Sequence, residues 1–285
     1  MKVTSTINEL RGLIKNSGLK PVAFVPTMGA LHEGHISLVK RAVSECPITV
    51  ASIFVNPTQF NDKNDLKNYP RTLDKDLDLL GKVLGENDIV FTPSVEEMYP
   101  EEDKRIFNFG NLDVVMEALH RPGHFNGVGQ IVSRLFEIVE PDIAIFGLKD
   151  FQQVAVIKEL VKQTNDKVKI IASPTIREED GLAMSSRNML LEPEIRKNVP
   201  VIYKTIRAAV LMLKDKDIAE TALYVKNEIE KFDNFEVIYF EIVDDEQLIP
   251  VKSKQEMSKE KKYFGCIAVQ AGKIRLIDNI EIDWS

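Results

Sequence analysis

The sequence predicts an α/β protein: a Rossmann-like, mostly parallel-sheet domain followed by a smaller α+β C-terminal domain. Three observations carry this expectation. Between residues 21 and 173, short apolar runs alternate with longer stretches whose apolar residues recur at helical spacing. Strands alternating with helices of that length imply βαβ units with right-handed crossovers. Residues 174–192 then break the alternation with a polar, glycine-containing stretch, and beyond it two helical patterns precede a run of strand patterns. The domain boundary is expected near 175–182, dividing the chain into 1–176 and 177–285.

The elements run in order along the chain. Residues 21–26 form the first strand candidate, and Ile36, Val39 and Val43 mark the helix after it. Residues 48–55 are nearly all apolar and β-branched, as expected of a parallel strand buried on both faces. Thr72 is placed to cap a helix whose stripe is Leu73, Leu77, Leu80 and Leu84. Residues 88–92 read as a strand, 113–119 as a short helix, and 127–139 as a longer helix with Ile131, Leu135 and Ile138 on one face. A strand at 142–147, a helix marked by Val154, Ile157 and Val161, and a strand at 167–173 close the series. The second domain is expected to hold helices at 194–214 and 217–231 and strands at 235–243, 263–270 and 274–280. No internal repeat or low-complexity tract is present.

A chain of 285 residues, 44% hydrophobic and 28% charged, has the apolar mass for a core and the length for a large domain plus a smaller one. Its 37 basic and 44 acidic residues give a net charge of −7, which argues against nucleic acid as the main partner. The longest apolar runs, such as 48–55, are far too short to span a bilayer. The first eleven residues carry no export signal. A cytoplasmic protein that does not bind membranes is expected. Cys46 and Cys266 read as buried thiols, with no CxxC pair or zinc-ligand spacing around them.

In an open parallel sheet, ligands bind beyond the carboxyl ends of the strands. Directly after the first strand stands Pro26-Thr27-Met28-Gly29-Ala30-Leu31-His32-Glu33-Gly34-His35. His32 and His35 lie three apart at the start of a helix, so they share one face and a helix N-terminus. The amides and partial positive charge of that end favour phosphate, and Gly29 and Gly34 permit close approach. The plainer alternative is a capping histidine plus a surface histidine. The spacing is not HExxH, and the chain has neither a Walker A sequence nor GxGxxG, so another kind of nucleotide site is required.

The H-x-G-H string resembles the first signature of the nucleotidyltransferase superfamily that includes class I aminoacyl-tRNA synthetases. The longer string, together with FVNPTQF at 54–60, YPRT at 69–72, RPGHFNGV at 121–128, FGLKDFQQ at 146–153, REEDGLAMSSRN at 177–188 and RLIDN at 275–279, resembles the pantoate–β-alanine ligase family. The matches are dense from about 22 to 190, and no motif position departs from the pattern. The resemblance implies ATP-dependent joining of pantoate to β-alanine through an acyl adenylate, with Mg²⁺, in a homodimer. It implies catalytic roles for His32, His35, Lys149 and Arg187, with His35 the proton donor. It puts ATP against Met28, Gly29, Ala30, Leu31, His32, Glu33, Gly34, His35, Gly147, Leu148, Lys149, Asp150, Ile176, Met184, Ser185, Ser186 and Arg187. The last four stand where the superfamily keeps a mobile phosphate-binding loop.

It also makes Gln59 and Gln153 pantoate ligands, with Gln152 set aside only by the family's register. His120 and His124 read equally as helix-end structure or pocket wall, and Arg121 as a contact to phosphate or to the second substrate. Asp74, Asp76 and Asp78 read as a solvated helix face, with assistance to Mg²⁺ as the alternative; no metal ligand is assigned. Residues 61–68 and 181–188 are the lid candidates, and the second domain is expected to cover the cleft. Two rivals stand beside this reading. One is a transferase that leaves AMP on a phosphate acceptor; the other is a non-catalytic nucleotide sensor or RNA-binding module.

Overall fold

The computed structural model describes residues 1–283. Six parallel strands form the larger sheet: β1 (Lys2–Thr4), β2 (Val22–Thr27), β3 (Ile48–Ile53), β4 (Ile89–Phe91), β5 (Ile143–Gly147) and β6 (Lys169–Ser173), in the order β1-β4-β3-β2-β5-β6. Their apolar residues divide between the two faces as the strand period demands. Val22 and Phe24 of β2 enter the core beneath helices Ile7–Ser17, His124–Val139 and Phe151–Thr164. Ala23 and Val25 enter the opposite core, under helices Glu33–Glu45 and Leu73–Gly81. Each fully buried Phe, Ile or Leu contributes about 1.5–3 kcal/mol.

The smaller sheet is antiparallel: β7 (Phe235–Asp244), β8 (Tyr263–Ala271) and β9 (Ile274–Ile282), in sequence order. Helices Val201–Met212 and Ile218–Ile229 cover one face, burying Ile206, Val225 and Ile229 against Ile267, Val269 and Leu276. The other face turns toward the larger sheet, where the Phe264 ring lies 4.3 Å from that of Phe151. The fold is thus the α/β architecture with a smaller α+β C-terminal part that the periodicity predicts.

Several local expectations change. β1 and the helix Ile7–Ser17 add to the expected series; Thr6 caps that helix by accepting from the Glu9 amide, and Gly18 ends it at φ 63°. The helix expected from 127 begins at His124, because Gly123 makes the preceding turn at φ 77°. Residues 113–119 split into a 3₁₀ turn, Gly110–Asp113, and a one-turn helix, Glu117–His120. The stretch 194–214 is two helices, Pro193–Asn198 and Val201–Met212, separated where Pro200 has no amide to continue the ladder. Thr72 sits at its N-cap without bonding the helix backbone; its hydroxyl donates to Asp76 instead. Both cysteines are buried and free. Among the described residues, no helix is long and apolar enough to cross a membrane.

One close approach fixes the turn that carries Gln59. Helix His124–Val139 presses Gly127 onto the turn Pro57–Gln59, where an added Cβ would lie 2.5 Å from the Thr58 carbonyl oxygen and 2.8 Å from the Gln59 Cα. Backbone on both sides leaves little room to yield. Gly127→Ala is therefore expected to destabilise the protein by about 1–3 kcal/mol, despite a gain in helix propensity of about 1 kcal/mol. The urea midpoint should fall at unchanged slope; an unmoved midpoint would mean that the contact relaxes freely.

Candidate active site

From β2 the chain continues to β3 on one side, while β5 pairs along the other side of β2. Such a reversal opens a crevice at the carboxyl ends of the two strands. One cavity lies there. Its walls include Met28, His32, Gly34, His35, Gln59, Gly147, Lys149, Asp150, Gln153, Ile176, Met184, Ser185, Ser186 and Arg187, all anticipated from the sequence. Gly29, Ala30, Leu31, Glu33 and Leu148 do not line it: Ala30 and Leu31 are buried beneath the loop, and Glu33 points to solvent.

Both histidines cap the helix end and both line the cavity. His32 is the N-cap of helix Glu33–Glu45, its Nδ1 accepting from the Gly34 amide at 3.2 Å. His35 answers from the third helical position, its Nδ1 accepting from the His32 amide at 3.4 Å. The helix end is thus capped by its own imidazoles, and the Gly34 and His35 amides have internal partners. With Nδ1 accepting, the neutral ring carries its proton on Nε2. The rings lie 4.1 Å apart, and Gly34 is needed because a Cβ there would meet the His32 ring at 2.8 Å. Burial, then Lys149, lowers His32 to about 4. Burial, then His32, lowers His35 to about 3. At neutral pH both rings are therefore uncharged, each with Nε2–H as its donor.

Lys149 and Asp150 stand on the 3₁₀ turn Leu148–Asp150 after β5 and pair at 3.5 Å. Burial would raise the Asp150 carboxyl, but Lys149 and Arg187 outweigh it and hold it below its ordinary value. The smaller sheet grips this turn. Asn279 of β9 donates to the Leu148 and Lys149 carbonyls at 2.8 and 3.1 Å, and neighbouring Asp278 takes a bidentate pair from Arg177 at 2.6 and 2.9 Å. The Met184–Arg187 segment is tied down as well: the Ser186 hydroxyl donates to the Ala30 carbonyl at 3.0 Å, and that of Ser185 accepts from the Arg187 amide. Both hydroxyls therefore hold the loop. Arg187 pairs with Asp65 at 2.9 Å and faces the Tyr69 ring at 5.8 Å, joining the two lid candidates.

The adjacent glutamines separate cleanly. Gln152 is buried and has a partner at each end of its amide: it donates to the Leu112 and Val115 carbonyls and accepts from the Glu117 amide. Gln153 lines the cavity without such partners among the described residues. Gln59 donates to the Met28 sulfur at 3.1 Å and accepts from Asn56 at 3.2 Å. His124 lines the cavity and also supports it: its Nδ1–H donates to the Gln59 carbonyl at 2.8 Å, and burial followed by Arg121 lowers it to about 4. Phe125, Val128, Ile131 and Val132 form an apolar wall of the cavity.

The sequence reading missed a polar cluster at the far rim. Glu117 accepts from Arg275 of β9 at 2.5 Å and from the Tyr239 hydroxyl of β7 at 3.0 Å. The His120 ring stacks on Tyr239 rather than entering the cavity. Arg121, four residues after Glu117, lines the cavity with no hydrogen-bonded partner among the described residues, and burial lowers it. These contacts span more than a hundred residues in sequence, beyond any local pattern.

The acidic tract is corrected in one member. Asp74 and Asp78 are exposed, as expected, but Asp76 is 1% exposed and accepts from the Ala30 amide, the Leu31 amide and the Thr72 hydroxyl at 2.9, 2.8 and 3.1 Å. With its oxygens so engaged, it is poorly placed for a metal. Among the described residues, no group of three or more His, Cys, Asp or Glu side chains forms a metal cage.

The model of the family described as pantoate-beta-alanine ligase matches residues 2–281. A pantothenate synthetase of Bacteroides thetaiotaomicron is 50% identical, covering 99% of both chains. That of Porphyromonas gingivalis is 47% identical over 99% of this chain and 100% of its own. Among solved structures, pantothenate synthetase from Thermus thermophilus aligns with a TM-score of 0.89 at 40% identity, covering 99% of each chain. Pantoate-beta-alanine ligase from Francisella tularensis, complexed with beta-gamma ATP and beta-alanine, aligns with a TM-score of 0.79 at 34% identity, covering 100% of this chain and 99% of its own. With this cleft and these relatives, the chain belongs to the pantoate–β-alanine ligase family.

Proposed function

We propose that this ligase makes pantothenate in two half-reactions within the one cleft. A pantoate carboxylate oxygen attacks the α-phosphorus of MgATP, forming pantoyl adenylate and releasing pyrophosphate. The free amine of β-alanine then attacks the acyl carbon, the C–O bond to AMP breaks, and pantothenate, AMP and a proton result. The observation that carries this reading is the make-up of one cavity: His32, His35, Lys149 and Arg187 line it together with Gln59, Gln153 and the apolar side chains Phe125, Val128, Ile131 and Val132.

Charge builds on the phosphate oxygens as pyrophosphate departs, and preorganised donors act where it builds. Lys149 and Arg187 supply positive charge there, and the two imidazoles supply Nε2–H donors. Mg²⁺ enters with the triphosphate, since it keeps phosphate and water oxygens as ligands. Gln59 and Gln153 orient the pantoate carboxylate as neutral amides, leaving its nucleophilic charge unmasked. An arginine there would bind the ground state harder than the transition state, which does not speed chemistry. Arg121, a cation without a hydrogen-bonded partner among the described residues, receives the β-alanine carboxylate. The family resemblance supports a cytoplasmic homodimer.

A transferase that leaves AMP on a phosphate acceptor would need a basic pocket around Gln59; Asn56, Met28 and Phe125 are there instead. The deciding experiment is exchange of labelled pyrophosphate into ATP with Mg²⁺ and pantoate present and β-alanine absent. Pantoate-dependent exchange is expected, and its absence from active protein would overturn the adenylate.

His35→Ala should slow exchange by about 10²- to 10³-fold with the fold intact; near-normal exchange would remove His35 from the chemistry. Gln59→Arg should bind pantoate at least as tightly yet adenylate it more slowly, and wild-type turnover would sink the idea of an unmasked charge. The pH profile is set by the lowered histidines. Groups at about 4 and about 3 stay neutral from pH 8 down to about pH 5. The kcat/KM for MgATP should therefore show no histidine inflection near 6.5; an acid limb centred there would mean that His32 or His35 is charged in the free enzyme.

A further inference from the structure

The turn that presents the two histidines is conformationally expensive. Gly29 sits at φ 77° and Ala30 at φ 49°, two successive left-handed residues, the second carrying a side chain. A non-glycine residue there is strained and persists only where its surroundings over-determine it. Here the determining group is a buried anion. The Ala30 and Leu31 amides converge on opposite oxygens of Asp76, Oδ2 at 2.9 Å and Oδ1 at 2.8 Å, and the Thr72 hydroxyl adds a third donor to Oδ1. The fit is close, since a Cβ on Gly29 would stand 3.0 Å from Oδ2. No lysine, arginine or histidine forms an ion pair with Asp76 among the described residues, so these donors carry its charge.

Converging amides on a left-handed turn would otherwise make an anion-binding concavity. The chain fills that concavity from within, from a helix 45 residues further on. Leu31 leads directly into His32, whose ring and backbone then fix His35 through the reciprocal cap. We propose that Asp76 is a positioning residue for adenylation: an internal counter-anion that sets the 28–31 turn and thereby aims the His32 and His35 Nε2–H groups at the triphosphate. The Ala30 and Leu31 amides are accordingly withheld from ATP. This inference rests on the adenylation reading above.

The test pairs activity with a direct view of the rings. The chain has 4 histidines, so their imidazole nitrogens are separable by long-range ¹H–¹⁵N correlation in the full-length protein. In Asp76→Asn the amide keeps its shape, but its NH₂ opposes one backbone N–H. Pantoate-dependent kcat is expected to fall about 10²-fold, with the KM for pantoate held within about twofold. The His32 and His35 signals should shift while those of His120 and His124 stay. Asp76→Glu, with the charge restored on a longer arm, should recover little.

Should Asp76→Asn not fold, Thr72→Val removes one donor and keeps the carboxylate. It should give a smaller loss of kcat with the same two histidines shifted. A folded Asp76→Asn, or failing that Thr72→Val, with wild-type kcat and unmoved His32 and His35 signals would overturn the proposal. So would a lower melting temperature with kcat unchanged below the transition, which marks a purely structural role. If the wild type shows no exchange, the adenylation reading has failed, and the histidine signals still report whether Asp76 sets the loop.

Discussion

The fold depends on one topological constraint, the reversal of strand order between β2 and β5. The connection after β2 leads to β3 on one side, and β5 arrives on the other, so their following loops diverge and leave a crevice. No side chain of either strand can close it, because both strands are committed to cores above and below the sheet. The elements around the cleft answer that opening. The 26–35 loop lines one lip, the 146–153 segment the other, and β9 supplies Asp278 and Asn279 across the top.

A cleft built this way has to hold polar groups in partial burial, and it uses three devices to do so. Imidazoles replace charges: His32 and His35 stay neutral where burial would penalise a cation. Other charges are paired, Lys149 with Asp150 and Asp278 with Arg177, while Arg121 stands without a hydrogen-bonded partner among the described residues. Strain is met by an internal anion, Asp76, beneath the turn. Buried ion pairs add little net stability, since desolvation opposes their attraction. Their contribution here is orientation. Arg177 and Asp278 fix β9, whose next residue, Asn279, holds the backbone of the Lys149 turn.

How much is legible in the sequence depends on the range of the forces involved. Hydrophobic period is local, so the buried strands and the long helices are readable, as with 48–55 and the Ile131, Leu135, Ile138 face. β1 spans three residues and is too short to show a period, although the Thr6–Glu9 cap and Gly18 are readable signals for the helix after it. Motif strings locate the cavity lining because they sit at strand ends. They do not distinguish residues whose side chains face ligand from those whose backbone builds the turn, so Ala30 and Leu31 are grouped with Met28. Asp76 reads as one of three solvated carboxylates at alternate positions. On a helix those positions face different directions, and only tertiary packing shows that the middle one points inward. The Glu117–Arg275–Tyr239 cluster joins residues that no local pattern connects.

The two lid candidates meet through Arg187 and Asp65, and the strength of that meeting matters. The side chains are 29% and 36% exposed. An ion pair so open to water is worth about 0–1 kcal/mol. On the adenylation proposed above, a triphosphate would bring several charges into the cavity that Lys149 and the two imidazoles line. On that reading, the charge of the triphosphate would draw the Arg187 guanidinium away from so weak a pair. The Ser186 hydroxyl, bonded to the Ala30 carbonyl, anchors the base of the loop that carries Arg187. A weak pair on a firmly anchored loop suits such an exchange, because little energy would oppose moving Arg187 from the Asp65 carboxylate to a phosphate.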